Sequence, residues 1–389
     1  MLELKANEIG SVLVKEVMST PRITVRKGET VSDVISRMKK GRVREIPVLD
    51  DDRPIGLVSY YSLLSRRNLP LSAKVEHIMV PCPRLEEDMS IISAAEELMS
   101  TGVRGAPVVR NGKLVGFVSR TDIIRIISSM DELRRKQVGA IMSTAPVSVM
   151  RTEQVRKAQI LMKGLNEKTL PVVDQNHELI GAIGMTEIMD VVWSPRASKP
   201  PNEVRGDREP ADVRVGSVMN RYPAFVSPDD ALDRAISVML SKNLSTVFVA
   251  DERKLVGVIS QTDIMEQVIS LRPREGVYVQ ITGLDAEDPE VYEVMYDLIG
   301  KSMKRIDKIQ SPKVFSVHVT AYHQDGLKSK YSLGARLTTE KGMYYSKGSD
   351  WHLYRSLDSV LDLLEKNIRK DHEKQLAARK KKHGLKQGL

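Results

Sequence analysis

The chain has 389 residues, of which 41% are hydrophobic, and it carries a formal net charge of +9. This length predicts more than one domain, and the hydrophobic content excludes a wholly disordered chain. No run approaches the ~18 apolar residues of a membrane-spanning helix, and the start lacks the basic-then-apolar order of a signal peptide. With one cysteine, Cys82, we expect a soluble cytoplasmic protein that has neither a disulfide nor a cysteine-based zinc site.

Residues 10–272 contain four repeats with shared offsets. Each repeat opens on a hydrophobic residue followed by Met, and a second Met follows twenty residues later. These methionine pairs are Met18 and Met38, Met79 and Met99, Met142 and Met162, and Met219 and Met239. An apolar segment led by Pro47, Pro107, Pro171 or Val247 comes next. We interpret the methionines as core packing rather than as ligands.

Each repeat closes with a nine-residue cassette, at 54–62, 114–122, 179–187 and 255–263. A cassette is an apolar, β-branched run interrupted by one Gly and followed by a polar helix-start signal, which predicts a strand leading into a capped helix. The whole repeat is predicted as strand, helix, strand, strand, helix. Because about 55 residues are few for an independent core, we expect the repeats to pair.

On these motifs the four repeats resemble cystathionine-β-synthase-type (CBS) domains, arranged as two tandem pairs (Bateman modules). The expected first pair covers residues 10–130, with repeats at about 12–70 and 72–130. The second covers 131–272, with repeats at about 134–193 and 212–272 and a proline-rich insertion at 194–210. The resemblance implies an α/β fold of βαββα repeats, and this family often forms homodimers.

The resemblance also implies an adenine nucleotide ligand (AMP, ADP or ATP), because clefts between paired CBS domains often bind one. In the family, the cassette Thr and Asp begin the last helix, and the Asp holds the ribose hydroxyls. The complete pattern occurs as Thr121-Asp122 and Thr262-Asp263. The third copy has Glu187, whose longer side chain is expected to misplace the acceptor, and the first has Ser62. One competent site per pair is therefore predicted.

Three cations before the apolar strands could reach the phosphates: Arg44, Arg104 and Lys168, with Leu244 at the fourth position. The alternative for Asp122 and Asp263 is simple helix capping, which favours the same residue types.

Residues 277–383 have a different pattern, predicted as β-α-β-β-β-α, a small α+β sheet with two helices on one face. The helix opened by Asp288-Pro289 has an apolar face and a basic end. Three strands are predicted at 313–320, 331–339 and 343–346, with turns at Asp325-Gly326 and Lys341-Gly342. A long helix from Asp350 buries Leu353, Leu357, Val360, Leu361, Leu364 and Ile368 and continues as a charged rod. Residues 384–389 are a tail.

This stretch resembles the ribosome hibernation-promoting and ribosome-silencing factors. The matching residues are the strand 279–283, the segment 306–309 and the last helix, with Tyr354, Asp358, Asp362, Lys370 and Lys374. The resemblance implies binding to the rRNA of the small ribosomal subunit, in the mRNA channel, and a CBS-mediated dimer would then pair two small subunits. The expected RNA-binding residues are Lys301, Lys304, Arg305, Lys308, Arg369, Lys370, Lys374, Arg379, Lys380, Lys381 and Lys382.

The last 24 residues carry nine basic and two acidic side chains. This density indicates a polyanion partner such as nucleic acid, or else a solvated helix end. Trp351, His352 and Tyr354 could stack on bases, although a Trp at a helix start more often packs.

No phosphate-loop, dinucleotide-binding, zinc-protease or nucleophile-elbow motif occurs in the sequence. We therefore expect a binding protein rather than an enzyme, acting as a translation-silencing factor that responds to adenine nucleotide. Two alternatives remain open. One is a nucleotide-sensing regulator of another RNA or DNA target, and the other is an allosteric subunit of a separate enzyme.

Overall fold

The structure is a computed structural model, and it describes residues 9–20, 23–41, 43–65, 70–144, 146–165, 169–192, 213–272, 276–284, 289–323 and 329–384. The predicted insertion at 194–210, the turn at Asp325-Gly326, Lys168 and residues 385–389 lie outside the described residues. The chain forms two compact units, one built mostly from residues up to Arg272 and the other mostly from Pro273 onward.

The first unit contains the four repeats. Repeat 1 has the elements α1 (Val14–Val17), β1 (Val25–Arg26), α2 (Val31–Gly41), β2 (Glu45–Asp50), β3 (Arg53–Ser59) and α3 (Tyr60–Ser65). Repeat 2 has β4 (Leu85–Glu86), α4 (Ile91–Ser100), β5 (Gly105–Arg110), β6 (Lys113–Ser119) and α5 (Arg120–Ile127), and α6 (Asp131–Arg134) follows it.

Repeats 3 and 4 follow the same order. Repeat 3 has β7 (Ser143–Thr144), β8 (Val149–Met150), α7 (Val155–Leu165), β9 (Thr169–Val173), β10 (Leu179–Gly184) and α8 (Met185–Val192). Repeat 4 has α9 (Val215–Val218), β11 (Phe225–Val226), α10 (Leu232–Ser241), β12 (Thr246–Asp251), β13 (Lys254–Ser260) and α11 (Gln261–Ile269). The predicted order of strand, helix, strand, strand, helix is confirmed in all four repeats.

Each repeat builds the same small sheet. A two-residue strand lies parallel to the next strand, which is antiparallel to the cassette strand. In every copy the register shifts beside the cassette Gly, as between Val48 and Leu49 or between Val108 and Val109. The second methionine of each repeat is buried, which confirms the predicted packing role of Met38, Met99, Met162 and Met239.

The cassette glycines are the points at which paired repeats touch. Met18 of repeat 1 lies against Gly116 of repeat 2, with Met18 Cγ 3.0 Å from where a Cβ would stand. In return, Met79 of repeat 2 lies against Gly56, its Sδ 3.2 Å from the corresponding Cβ position. Repeats 3 and 4 repeat the contact with Met219 Sδ 2.8 Å from the Cβ position of Gly181. A side chain at any of these positions would push the paired repeat away.

Backbone hydrogen bonds close the same contacts. Ser19 and Phe117 exchange two N–H···O bonds of 3.0 and 2.8 Å, and Leu57 and Val80 exchange two of 2.9 and 2.8 Å. Ala182 and Asn220 do the same across repeats 3 and 4, at 2.9 and 2.8 Å. The expected pairing of repeat 1 with 2 and of repeat 3 with 4 is therefore present. The two pairs also meet, since α11 packs on α4 and α5, and α3 lies against α8.

The second unit contains β14 (Tyr278–Thr282), α12 (Pro289–Asp307), β15 (Pro312–His323), β16 (Ser329–Thr339), β17 (Met343–Asp350) and α13 (Leu353–Gly384). These elements occur in the predicted order. The sheet order is β14-β15-β16-β17, with β14 parallel to β15 and the other neighbours antiparallel. The strands are longer than predicted, because their outer ends lack the apolar alternation that marks a strand in sequence.

Both helices of this unit share one core with the sheet, as predicted. Phe315, Val317 and Val319 of β15 face Met295 and Ile299 of α12 within that core. Helix α13 contributes six buried apolar residues: Leu353, Leu357, Val360, Leu361, Leu364 and Ile368. It begins at Leu353 rather than at Asp350, because Asp350 Oδ1 accepts the His352 N–H at 2.8 Å just before the helix.

The contact between Met18 and Gly116 yields a stability prediction. We expect Gly116→Ala to destabilise the repeat unit by ~1–3 kcal/mol, the usual cost of overpacking, because the new Cβ would overlap Met18 Sδ. Urea unfolding followed by circular dichroism measures the change. Adding Met18→Ala should recover part of the loss. Gly300→Ala on α12, which meets nothing within 4 Å, is the control and should not destabilise. Unchanged stability of Gly116→Ala would contradict the pairing role of this glycine.

Candidate functional site

The predicted nucleotide residues of the cassettes lie at the starts of two helices. Thr121 and Asp122 are in the first turn of α5, and Thr262 and Asp263 are in the first turn of α11. Ser119 and Ser260 are the N-caps, and both have the extended backbone typical of that position.

The two aspartates cap their own helices. Asp122 Oδ2 accepts the Ser119 N–H at 2.9 Å and the Ser119 hydroxyl at 2.5 Å. Asp263 Oδ2 accepts the Ser260 N–H at 2.6 Å and its hydroxyl at 2.7 Å. Asp122 Oδ1 also receives Arg125 Nη1 at 3.1 Å, whereas Asp263 is 0% exposed. The capping alternative is thus present in the structure, and a ribose-binding role for either carboxylate stays a prediction.

The degraded cassettes keep the same cap. Glu187 Oε2 accepts the Gly184 N–H at 2.9 Å, and Ser62 Oγ accepts the Ser59 N–H at 3.0 Å. Glu187 thus caps its helix despite its longer side chain, and the expectation that it misplaces an acceptor for ribose hydroxyls stays a prediction. All four copies satisfy one N–H that the helix itself leaves without a partner.

The two threonines lie where repeats 2 and 4 meet. Gln261 Nε2 donates to Thr121 Oγ1 at 3.1 Å, and Arg120 Nη1 donates to Thr262 Oγ1 at 3.0 Å. Arg120 and Gln261 occupy the same cassette position, so the two bonds form an approximately two-fold related pair. Sequence reasoning missed both donors. Their position between the cap serine and the threonine was visible, but the contact depends on how the two repeats face each other.

Three half-buried arginines gather near this contact. Arg44 and Arg104 precede the strands β2 and β5, as predicted, and Arg120 begins α5. Burial is the main cause that lowers the pKa of Arg104 to about 10; the positive charges of Arg44 and Arg120 act in the same direction, and Glu45 opposes them. Burial also lowers the pKa of Arg44, against the charge of Glu187. Arg44 and Arg120 are therefore both close enough to Arg104 to lower its pKa.

Several hydrogen bonds of these arginines go to neutral groups. Arg44 Nη2 donates to the Asn243 carbonyl at 3.0 Å. Arg120 Nε and Nη2 donate to the carbonyls of Val103 at 3.0 Å and Leu98 at 3.1 Å. Glu45 accepts the backbone N–H of Arg104, with both carboxylate oxygens at 3.2 Å. The three cations thus lie among carbonyl and hydroxyl dipoles and near the carboxylates of Glu45 and Glu187, and several guanidinium donors face one region.

The cluster is asymmetric. Its three arginines come from repeats 1 and 2, while repeat 4 has Leu244 and Gln261 at the positions of Arg44 and Arg120. Lys168 of repeat 3 lies outside the described residues. Among the residues that the structure describes, no group of three His, Cys, Asp or Glu side chains could hold a metal ion, and none of the helices is long and apolar enough to cross a membrane.

The predicted RNA-binding residues of α12 and α13 divide into two groups. Arg305 Nε donates to Glu365 Oε2 at 2.9 Å, and Arg369 Nη2 lies 2.7 Å from Glu365 Oε1. These two bonds lower the pKa of Glu365. Lys301 pairs with Asp297 at 2.6 Å, and Lys374 lies 3.8 Å from Asp371. Arg305 therefore joins α12 to α13, and Arg369 pairs with Glu365 within α13. The predicted RNA-binding role did not foresee either ion pair.

Lys304, Lys308 and Lys370 are exposed. They are the predicted cations best placed for a phosphate backbone. The backbone of α13 continues through Arg379, Lys380, Lys381 and Lys382, whose side chains lie outside the described part of the chain.

Comparison with known proteins finds the CBS domain family at residues 14–68, 75–129, 138–194 and 215–270. The uncharacterized protein MJ1404 of Methanocaldococcus jannaschii is 26% identical over 400 residues, covering 93% of each chain. That match necessarily extends into the C-terminal unit. Protein MJ1225 of the same organism, described as a candidate archaeal homolog of g-AMPK, has a solved structure. That structure matches with a TM-score of 0.58 and 20% identity, and the match covers 66% of this chain and 99% of that one. The similarity is one of fold.

A shorter solved structure, of CBSX2 in complex with AMP, covers 30% of this chain and 96% of that one, at 27% identity and a TM-score of 0.27. The AMP is a finding about that protein alone. The predicted resemblance to ribosome hibernation factors gains no support from these comparisons and stays a prediction.

The capping geometry predicts unequal effects for the two aspartates. Asp263→Ala should destabilise the repeat unit by ~1–2 kcal/mol, the usual cost of losing an N-terminal cap, because buried Ser260 donors would lose their acceptor. Asp122→Ala should cost less, since water can replace its partly exposed carboxylate. Thermal unfolding measures both, with exposed Asp229→Ala as the matched control. Equal, negligible effects at both positions would contradict the structural role.

Proposed function

Because the chain belongs to the CBS domain family, which matches it at four places, we propose that it is a binding protein that senses adenine nucleotides. The single observation that supports this most is the cluster of Arg44, Arg104 and Arg120. The charges of Arg44 and Arg120 both lower the pKa of the half-buried Arg104, so an anion bound among the three guanidinium groups would be stabilised. Phosphate groups fit them, because guanidinium donors match phosphate oxygens in geometry and charge.

The cluster also gives the ligand a way to act on the protein. Arg44 bonds to Asn243 and Arg120 bonds to Thr262, so both link the first pair of repeats to the fourth repeat. A bound phosphate would compete for these donors and change the contacts that join the pairs. A ligand that interacts differently with two arrangements shifts their populations by its differential affinity. We propose that nucleotide acts by this exchange.

Isothermal titration calorimetry with AMP, ADP and ATP tests the proposal. We expect at least one to bind, and adenosine, which lacks phosphate, to bind at least tenfold more weakly. Arg104→Ala should weaken the nucleotide by roughly ten- to a hundredfold, as expected for losing a hydrogen bond to a charged group.

The matched control is Arg110→Ala, which removes an exposed arginine of the same repeat that pairs with Glu87. It should bind nucleotide as the wild type does. No heat with any of the three nucleotides, or equal affinity for adenosine, would overturn the proposal.

For the C-terminal unit, we propose binding to RNA, with the rRNA of the small ribosomal subunit as the expected target. The specific observation is the exposure of Lys304, Lys308 and Lys370 on two helices that share one rigid core. Fixed lysines contact phosphates without reading sequence, and they suit a structured RNA. A homodimer formed through the repeats would then bring two small subunits together and keep mRNA out.

Co-sedimentation of the full chain with purified small subunits tests this second function. The triple variant Lys304→Glu, Lys308→Glu and Lys370→Glu should lose binding, and rising salt should weaken the wild type, because counterion release contributes to the affinity. A triple reversal of the exposed Lys40, Lys113 and Lys254 in the repeats is the charge-matched control.

If the triple variant of Lys304, Lys308 and Lys370 still bound small subunits, or if salt left the binding of the wild type unchanged, the proposed RNA function would be contradicted. Co-purification of a stoichiometric enzyme from cells would instead favour the alternative of an allosteric subunit.

A further inference from the structure

Trp351 at the start of α13 does not pack into the core. The indole is 49% exposed, whereas Leu353, two residues later, is 8% exposed and Leu357 is fully buried. A tryptophan side chain is the largest apolar surface a residue can bury, so leaving half of it in water forgoes stabilisation. The packing role favoured by its position in the sequence is therefore wrong.

A cation lies over this indole. Strand pairing sets Tyr331 opposite Asp350, which brings Lys330 beside Trp351. The Lys330 ammonium lies 6.0 Å from the ring centroid, within the range of a cation–π contact. His352 and Arg355 are exposed, and Arg355 lies one helical turn after Trp351.

Two neighbouring groups complete the surface. Tyr354 is 37% exposed, so a second aromatic ring reaches solvent in the first turn of α13. The nearby carboxylate of Asp350 accepts the His352 N–H at 2.8 Å, so its charge is partly taken up by the helix start. The surface thus presents aromatic faces among mostly basic side chains.

This combination distinguishes between possible partners. An apolar protein surface would call for a contiguous apolar patch, which basic neighbours interrupt. A duplex offers phosphates but keeps its bases stacked inside. A single strand offers both phosphates and free base faces, and proteins bind it with aromatic side chains flanked by cations.

We propose that Trp351, with Lys330 over its ring and the exposed Arg355 four residues later in the chain, is a stacking platform for an unpaired base of single-stranded RNA. The inference rests on the proposed RNA-binding function of the C-terminal unit, and it adds the kind of RNA bound: unpaired nucleotides beside the helical phosphates that the lysines contact. The indole stacks on the base while the two cations hold the adjoining phosphates.

The chain has two tryptophans, so Trp193→Phe leaves Trp351 as the sole indole fluorophore of the full-length protein. Titration with a short single-stranded oligoadenylate should quench its emission, because a stacked base quenches indole. A self-complementary RNA duplex of the same length should not quench it. Trp351→Ala should weaken single-strand binding by about five- to a hundredfold, the range for one base stacked on an aromatic ring, and should leave duplex binding unchanged.

Two substitutions separate stacking from other causes. Trp351→Phe keeps an aromatic face and should lose less affinity than Trp351→Leu, which keeps apolar area only. Equal affinities of the Phe and Leu variants would overturn the proposal, as would equal quenching by duplex RNA or by polyphosphate. If phosphatidylglycerol vesicles shifted the Trp351 emission to the blue and RNA did not quench it, the surface would be assigned to membrane binding instead.

The reversal of Lys304, Lys308 and Lys370 distinguishes this inference from the function on which it rests. If the lysines matter and Trp351→Ala does not, RNA binding stands and the platform fails. If neither change affects RNA affinity, both the lysine surface and the platform fail; if the wild type binds no RNA, the RNA function itself fails.

Discussion

The close approach of a methionine to a cassette glycine is the contact on which the repeat unit depends. Met18 can reach Gly116 and Met79 can reach Gly56 because neither glycine has a Cβ. Each such contact sets two backbone segments at hydrogen-bonding distance, as between Ser19 and Phe117. The association of the two pairs then brings the cassette helices together, α5 with α11 and α3 with α8. The repeated Met–Gly contact, which serves packing, thereby helps to position side chains that differ between the repeats, such as Arg120 and Gln261.

Those unrepeated residues hold the charge of the proposed site. Arg120 and Gln261 share one cassette position, yet one is a cation and the other a neutral amide. Arg44 and Arg104 have Leu244 as their counterpart in repeat 4. Equivalent positions in repeats 2 and 4 thus differ in charge, and the three arginines of the cluster all belong to the first pair of repeats. An anionic ligand bound there would touch the bonds that join the two pairs, which makes a binding event able to change their arrangement.

Much of the fold was predictable because its signals are local. Methionine offsets, the apolar alternation of β15 and the apolar face of α13 all depend on residues close in sequence. The helix cap was predictable from Thr and Asp in the second and fourth cassettes. That Glu187 and Ser62 make the same cap in the other two was visible only in the structure. Contacts between distant segments were not predictable. The Glu365 side chain engages Arg305 from another helix, and the exposure of Trp351 depends on how the chain between β17 and α13 is placed.

In the C-terminal unit, too, features set by neighbouring residues were predictable and contacts between distant residues were not. Its order of elements followed from the sequence, whereas the use of Arg305 and Arg369 in ion pairs with Glu365 left fewer cations for a partner than their number suggests. Lys304, Lys308 and Lys370 remain at the surface. Together with the aromatic end of α13, they give this unit a binding surface whose chemistry differs from that of the repeats. These two surfaces agree with the proposal that the repeats sense a nucleotide and the C-terminal unit binds RNA.

The central claim is that the arginine cluster receives the phosphates of a nucleotide. A crystal structure of the full chain grown with ATP tests it most directly. The account predicts phosphate oxygens at hydrogen-bonding distance, ~3 Å, from the guanidinium groups of Arg44 or Arg104, with the Arg120 bond to Thr262 altered. ATP bound with its phosphates directed away from these arginines, or a saturating ATP concentration that leaves the cluster unchanged, would contradict it.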